Sequence, residues 1–307
     1  MYKIKETKDS LTAVERADKL MECIGIILNV EKPKTIETAR ELYSWLKRKG
    51  LSVFFLKKHA EILGYPEHGL EEDQLADQCD CIITLGGDGT LLYTARITAP
   101  REKPILGINL GDFGFLVAVE PKNMYESLEN VLSGNFYLDR RMMLEASVYK
   151  NGKCIKTCWA LNDVVIAKPG LSRLIKLETY VAGEFVSNFP ADGLIISSPT
   201  GSTAYNLSAG GPIVSPKVDV IILNPICPHT LVSRPLVISP EEEVRIILKS
   251  EEGEALMTVD GQVGFPISKG DEVYVKRAPF RTNLISLPGK GFYEILRNKL
   301  GKVDRNG

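Results

Sequence analysis

Cys81-Ile82-Ile83-Thr84-Leu85-Gly86-Gly87-Asp88-Gly89-Thr90-Leu91-Leu92-Tyr93-Thr94-Ala95 sets an apolar run, a glycine turn and a helix-compatible segment in that order. The order reads strand, tight turn, helix, with the helix expected from Thr90. Glycines at 86, 87 and 89 let backbone N–H groups approach an anion closely, and the positive end of a helix would face the same point. Gly86, Gly87, Gly89 and Thr90 are therefore expected to form a phosphate loop. A carboxylate inside such a loop repels phosphate unless it serves a hydroxyl nucleophile or a metal ion, so Asp88 points to phosphoryl transfer to an alcohol. The same pentapeptide is also ordinary turn chemistry, in which Asp88 caps the following helix. It lacks the Gly-Lys-Ser/Thr ending of a Walker loop and the three-glycine spacing of a dinucleotide fingerprint.

Around this turn the chain alternates. Ile24 to Val30 reads as a buried strand. Thr35 to Lys49 repeats apolar residues at helical spacing until Gly50, and Val53 to Leu56 is a second strand. A helix around Glu72 to Cys79, the strand into Asp88 and the run Pro104-Ile105-Leu106-Gly107-Ile108-Asn109 complete a β/α pattern, which implies a mostly parallel sheet. Ligands of such sheets bind beyond the strand C-termini, where both Asp88 and the Gly111-Asp112-Phe113-Gly114-Phe115 loop fall.

Past about residue 135 helical periodicity nearly vanishes. Leu144 to Tyr149 and Lys153 to Trp159 flank Asn151-Gly152, and Leu174 to Val181 and Glu184 to Val186 flank Ala182-Gly183, as in hairpins. Val244 to Leu248, Leu256 to Val259, Val273 to Lys276 and Leu284 to Leu287 read as further separate strands. The fold class expected is an α/β N-terminal domain with a mostly parallel sheet plus a β-rich, sandwich-like C-terminal domain. The division is 1–22 an extension, 23–135 the α/β domain, 136–286 the β-rich domain and 287–307 a helix packing back on the first.

The 307 residues suit two domains, and a net charge of −1 with mixed signs gives no general attraction for nucleic acid. No apolar segment approaches a membrane span and the N-terminus does not read as a secretory signal, so no membrane partner and a cytoplasmic location are expected. Six cysteines look like scattered reduced thiols, and three histidines without a second cysteine pair give no zinc pattern.

A second constellation lies at Ala191-Asp192-Gly193-Leu194-Ile195-Ile196-Ser197-Ser198-Pro199-Thr200-Gly201-Ser202-Thr203-Ala204-Tyr205-Asn206-Leu207-Ser208-Ala209-Gly210-Gly211-Pro212. A short strand enters a Pro-Thr-Gly-Ser-Thr turn, and Ser202 or Thr203 is expected to cap a brief helix whose N–H groups and hydroxyls suit an adenine edge or a ribose. The plainer reading is an elaborate loop held by its own hydroxyls.

Taken together, Gly-Gly-Asp-Gly-Thr, Gly107 to Gly111 with Gly114-Phe115-Leu116, Leu161-Asn162-Asp163, the 192–212 segment, Pro228-His229-Thr230-Leu231 with Arg234-Pro235-Leu236, and Asp260-Gly261-Gln262 closely resemble the NAD kinase family. The first motif is shared with diacylglycerol, sphingosine and phosphofructokinases; the serine- and threonine-rich segment carries the resemblance. It implies transfer of a phosphate from ATP, or from inorganic polyphosphate, with Mg2+ or another divalent metal, to the 2′-hydroxyl of the adenosine ribose of NAD. NAD and ATP are then the partners, and a homodimer or homotetramer is implied. Position by position, Asp88 matches the general base and Gly89 the adjoining donor. Asn162 and Asp163 match a dinucleotide-contacting pair, and Thr203, Ala204, Tyr205, Asn206, Leu207 and Ser208 the dinucleotide-binding run. Asp192 matches a residue near the nicotinamide, Gln262 a contributor from its turn, and Arg173 and Cys227 variable lining positions. His229 is expected to act as structural support. Many bacterial relatives carry Arg two residues before the aspartate matching Asp192; here Pro190 stands there, so recognition of the nicotinamide side differs. Two other readings stay open: a lipid or sugar kinase using the same turn, and a non-catalytic NAD(P)-binding regulator.

Overall fold

The structure, a computed structural model, describes residues 21–111, 114–117, 119–170, 174–229, 234–250, 255–287 and 291–300. Most of the expected N-terminal extension, together with Asp112, Phe113, Arg173, Thr230, Leu231 and the chain beyond Leu300, lies outside the described residues.

The first part alternates as the sequence predicts. It runs β1 (Cys23–Leu28), α1 (Pro33–Arg48), β2 (Ser52–Leu56), α2 (Lys57–Leu63), β3 (Gly69–Leu70), α3 (Glu72–Gln78), β4 (Cys81–Gly86), α4 (Asp88–Thr98), β5 (Pro104–Asn109) and α5 (Met124–Leu132). Its strands pair in parallel in the order β5-β4-β1-β2-β3. Both faces are covered, which is why β1 and β4 read as continuous apolar runs and not as alternating ones. Ile24, Ile26 and Leu28 pack with Ala39, Leu42 and Leu46 of α1, while Ile27 and Ile82 meet Leu75 of α3 and Ile97 of α4 on the other face.

The second part consists of β6 (Tyr137–Lys150), β7 (Lys153–Ala160), β8 (Asp163–Ala167), β9 (Ile175–Val181), β10 (Glu184–Ala191), β11 (Gly193–Ser197), the single-turn α6 (Tyr205–Ser208), β12 (Ile221–Ile226), β13 (Leu236–Ile238), β14 (Val244–Leu248), β15 (Ala255–Val259), β16 (Val263–Ile267) and β17 (Glu272–Ser286). A final helix, α7 (Phe292–Leu300), follows. One antiparallel sheet has the order β13-β12-β11-β8-β15-β16. It packs on β6, β7, β9, β14 and β17 through a core that includes Leu144, Val164, Leu177, Ile196, Leu223, Ile246 and Met257. The expected hairpin turns are present: Asn151 and Gly152, and Ala182 and Gly183, all have positive φ.

Two expectations are corrected. Helix α4 starts at Asp88, not at Thr90, with Gly87 as its N-cap, so the carboxylate belongs to the first helical turn. The segments read as separate strands at Val273–Lys276 and Leu284–Leu287 are one 15-residue strand, β17. Pro279 interrupts the sequence pattern because it has no N–H, but the chain absorbs it at a register shift between Arg277 and Arg281 opposite β6. The expected fold class, an α/β part followed by a β-rich part, holds, and the two parts share a sheet. β17 pairs antiparallel with β14 at Val273–Val275 and in parallel with β5 at Asn283 and Leu284, so one 11-stranded sheet passes from one half to the other.

Candidate active site

Gly86 closes β4, and a Cβ there would lie 2.2 Å from Thr90 Oγ1, so the turn into α4 can fold this tightly only on glycine. Asp88 follows as the first helical residue. Its carboxylate turns toward the loop after β5: Oδ2 accepts the Phe115 N–H at 2.8 Å, and Oδ1 accepts those of Leu116 at 3.1 Å and Val117 at 3.3 Å. A Cβ on Gly114 would sit 2.0 Å from Asp88 Oδ1, which explains that glycine. The loop is tied back to the sheet by Leu110 N–H on the Gly86 carbonyl and Gly111 N–H on Asn109 Oδ1. Gly114 thus leaves the space that the Asp88 carboxylate fills, while the backbone after it holds the carboxylate.

A second cluster is built at the start of β8. Asp260, in the left-handed region with φ 50°, accepts the N–H groups of Leu161 at 3.0 Å, Asn162 at 2.7 Å and Asp163 at 3.2 Å. These bonds bend the chain so that Asn162 and Asp163 project from the strand end. Asn162 Oδ1 is buried with no hydrogen-bond partner among the described residues. Asp163 is also buried, and no donor among the described residues reaches its carboxylate. Burial, with the Asp260 charge beside it, pushes the Asp163 carboxyl up to about 7. Burial raises Asp260 too, but its three N–H donors oppose the shift. Of this pair Asp260 therefore keeps the charge and Asp163 holds the proton. An unpartnered amide oxygen and an unpartnered carboxyl side by side are acceptors suited to hydroxyl or amine donors of a ligand.

Gln262 joins the clusters. From the Asp260-Gly261 turn its Nε2 donates to the Gly89 carbonyl at 2.6 Å, while its Oε1 accepts Arg96 Nη2 at 3.0 Å. Arg96 stands two turns along α4 from Asp88, so the β15–β16 turn is clasped to the helix that carries the carboxylate.

The Ser/Thr-rich segment divides between scaffold and surface. Ser197, Ser198 and Ser202 are buried. Ser198 Oγ donates to the Leu161 carbonyl, and Ser202 Oγ donates to the Pro199 carbonyl and accepts the Val214 N–H. Neither Ser202 nor Thr203 caps the following helix: the N-cap of α6 is Ala204, with no side-chain bond. Their expected capping role is corrected, because the Ser202 hydroxyl is spent across the loop and Thr203 Oγ1 turns back to the Thr200 carbonyl at 3.3 Å. Asn206 is fully buried; its amide donates to the Ser202 and Pro212 carbonyls and accepts from Asn224. Thr203, Ala204 and Leu207 are partly exposed, and Tyr205 and Ser208 are exposed. A Cβ at Gly201 would come within 2.1 Å of the Asn162 carbonyl, so this loop lies directly on the Asn162–Asp163 corner.

Asp192, between β10 and β11, pairs with Lys168 at 2.7 Å. Lys168, just past the end of β8, thus sets a cation beside Asp192. Cys227 is exposed and has φ 45°, an uncommon conformation for a side-chain-bearing residue. His229 donates its backbone N–H to the Pro190 carbonyl at 2.9 Å, a supporting contact. Arg173 falls outside the described residues. No cluster of three or more metal-ligating side chains exists among the described residues, and no described helix is long and apolar enough to cross a membrane. Sequence reasoning quoted Asp260 only within the Asp260-Gly261-Gln262 block, without a role, and missed Arg96. The sequence signals for Asp260 were an Asp-Gly pair directly after the apolar run ending at Val259 and its place in the Asp260-Gly261-Gln262 block.

Known proteins resemble this chain over most of its length. Residues 24–136 match the ATP-NAD kinase N-terminal domain and residues 161–287 the ATP-NAD kinase C-terminal domain. An NAD kinase of Moorella thermoacetica is 45% identical over 280 residues, covering 91% of this chain and 89% of that protein. One from Desulforamulus reducens is 42% identical over 287 residues, covering 94% and 99%. Among solved structures, yeast NADH kinase complexed with NADH superposes with a TM-score of 0.85 at 27% identity, covering 92% of this chain and 88% of that one. An Archaeoglobus fulgidus NAD kinase in complex with ATP gives 0.71 at 25% identity, covering 92% and 98%. With both family domains matched in order over most of its length, this chain belongs to the NAD kinase family.

Proposed function

We propose that this protein transfers the terminal phosphate of ATP to the 2′-hydroxyl of the adenosine ribose of NAD, producing NADP and ADP. The observation that carries the reading is Asp88 fixed at the mouth of a glycine turn and clasped through Gln262 to the buried Asn162–Asp163 corner. In this reading Asn162, Asp163, Asp192, the 203–208 run and Cys227 hold the dinucleotide, with Arg173 as a further lining residue. Gly86, Gly87, Gly89 and Thr90 face the donor phosphates. The working division is residues 23–135 for donor and catalytic loop, 136–286 for dinucleotide, and 287–307 returning to the first part. Lys299 Nζ, 5.7 Å from the Phe115 ring, supports the return.

In the transfer, the ribose 2′-oxygen bonds to the terminal phosphorus, the phosphorus–oxygen bond to ADP breaks, and the hydroxyl proton passes to Asp88. A carboxylate is a weak base toward a sugar hydroxyl, but a loose transition state delays proton loss, so orientation outweighs basicity. The three N–H groups on Asp88 fix that orientation. A divalent metal such as Mg2+ fits as part of the nucleotide substrate: among the described residues the site offers a single carboxylate beside the turn, which suits an ion held mainly by phosphate oxygens and water.

All six cysteines are free, in keeping with a reducing, cytoplasmic setting. Assembly into a homodimer or homotetramer is supported by β10, an edge strand whose Phe185 is 61% exposed. The test of function is NADP formation from NAD and magnesium with ATP or polyphosphate in parallel, read by an NADP-specific dehydrogenase. Turnover names the donor; none from either donor, in folded protein that binds NAD by calorimetry, would favour the regulator reading.

A further inference from the structure

The β1–α1 loop brings a cation to the glycine turn that no motif flagged. β4 lies between β1 and β5 in the sheet. The three strands end level: Leu28 pairs with Leu85, Gly86 pairs with Asn109, and Asn29 N–H donates to the Leu85 carbonyl. Lys32 leaves the β1 side of this row and Gly111 the β5 side. Yet a Cβ on Gly111 would lie only 2.8 Å from Lys32 Nζ. Because two strand spacings separate β1 from β5, about 10 Å, the β1–α1 loop and the lysine side chain together must cross the end of β4, where the Gly86–Gly87 turn opens into α4.

Lys32 is exposed and makes no hydrogen bond or ion pair among the described residues. Among the described residues, neither Asp88 nor the adjacent Glu31 neutralises it. Asp88 is occupied by the 115–117 backbone, and Glu31 forms no ion pair among the described residues. The dinucleotide-facing elements reach α4 from the opposite side, through Gln262 on Gly89, whereas β1 is separated from them by β4 and β5. A cation laid over a glycine turn at the start of an 11-residue helix, away from the acceptor side, has the chemistry of a polyphosphate contact.

We propose, resting on the kinase reading above, that Lys32 binds the phosphate chain of the donor nucleotide across the Gly86–Gly87 turn. It is a donor-site residue additional to the glycine loop, and Gly111 lacks a side chain so that the ammonium can reach its place.

The experiment is to measure KM for magnesium–ATP and for NAD, and magnesium–ATP binding by calorimetry, on the full chain and on Lys32→Met, Lys32→Arg and Lys34→Met. Lys34 is a neighbouring exposed lysine that controls for net charge. Loss of one charge-assisted contact is expected to weaken ATP binding and raise its KM about tenfold in Lys32→Met. The NAD KM should stay within about twofold, Lys32→Arg should recover most of the loss and Lys34→Met should change neither. An unmoved ATP KM and affinity in folded Lys32→Met, or equal rises for both substrates, overturns the proposal. A fall in melting temperature in Lys32→Met that Lys34→Met does not share, with ATP affinity unmoved, makes Lys32 a loop tether and also overturns it. Absence of turnover in the unaltered chain refutes the kinase reading itself, whereas normal turnover with an indifferent Lys32 refutes only this assignment.

Discussion

Replacing Asp163 with Asn tests how the acceptor corner is built. The Asp163 carboxyl, ordinarily near 3.8, is pushed up to about 7 by burial and by the neighbouring Asp260 charge. Above about pH 4 the unfolded chain releases this proton while the folded chain retains it, so stability falls as pH rises from about 4 to about 7 and stays low beyond. A shift of about three units corresponds to at most about 4 kcal/mol. Asparagine carries no charge and removes that loss. Asp163→Asn is therefore expected to be more stable than the parent at pH 8 by about 2–4 kcal/mol, which for a chain of this size is about 4–8 °C in melting temperature. The gap should close toward pH 4.5. In the same variant NAD affinity, measured by calorimetry at pH 8, should drop about tenfold, because a ribose diol donates best to an ionised carboxylate. For the parent, NAD affinity should rise with pH through about 7. Melting curves from pH 4.5 to 8.5 decide the matter: a gap that does not vary with pH, or a less stable variant at pH 8, would refute the assignment of the proton to Asp163.

Asp88→Asn should lower turnover by about 10²–10⁴-fold with NAD affinity changed little, and turnover near that of the parent would remove its role as proton acceptor. Gly114→Ala places a methyl where Asp88 Oδ1 now lies; the loop must shift, at a cost of about 1–3 kcal/mol in chemical denaturation and a turnover loss of about 10²-fold, and unimpaired turnover would show that the loop need not hold Asp88. His59 is buried, accepts the Leu28 N–H at Nδ1 and is held neutral down to about 4. Because its unfolded value is near 6.5, stability should fall by up to about 3 kcal/mol as pH drops from 6.5 to 4, and His59→Gln should lose that part of the slope. The tenfold change in ATP affinity expected of Lys32→Met completes the set.

The glycine turn, the parallel alternation around it and the hairpins were legible because each is a local matter: apolar periodicity and φ-permissive residues within a dozen positions. What sequence did not disclose depends on partners far along the chain. Asp260 reads as half of a turn until Leu161, Asn162 and Asp163 are seen donating to it across about a hundred residues. The hydroxyls around 197–208 read alike, yet three of those serines are buried in scaffold bonds while Tyr205 and Ser208 face outward. Burial, not residue type, separates them. Pro279 made one strand look like two, since a missing N–H is conspicuous in sequence and the bulge that accommodates it is not.

β6 and β17 matter for motion as well as for topology. A two-part enzyme joined by a flexible linker can close on its substrates by rotating one part against the other. Here the parts share two long antiparallel strands paired from Glu272 opposite Tyr149 to Ser286 opposite Tyr137, with one interruption. Bending that girder would break its ladder of hydrogen bonds and open a packed core. Any exclusion of water from the reacting phosphate therefore falls to small pieces mounted on a stiff frame, among them the 115–117 backbone that holds Asp88.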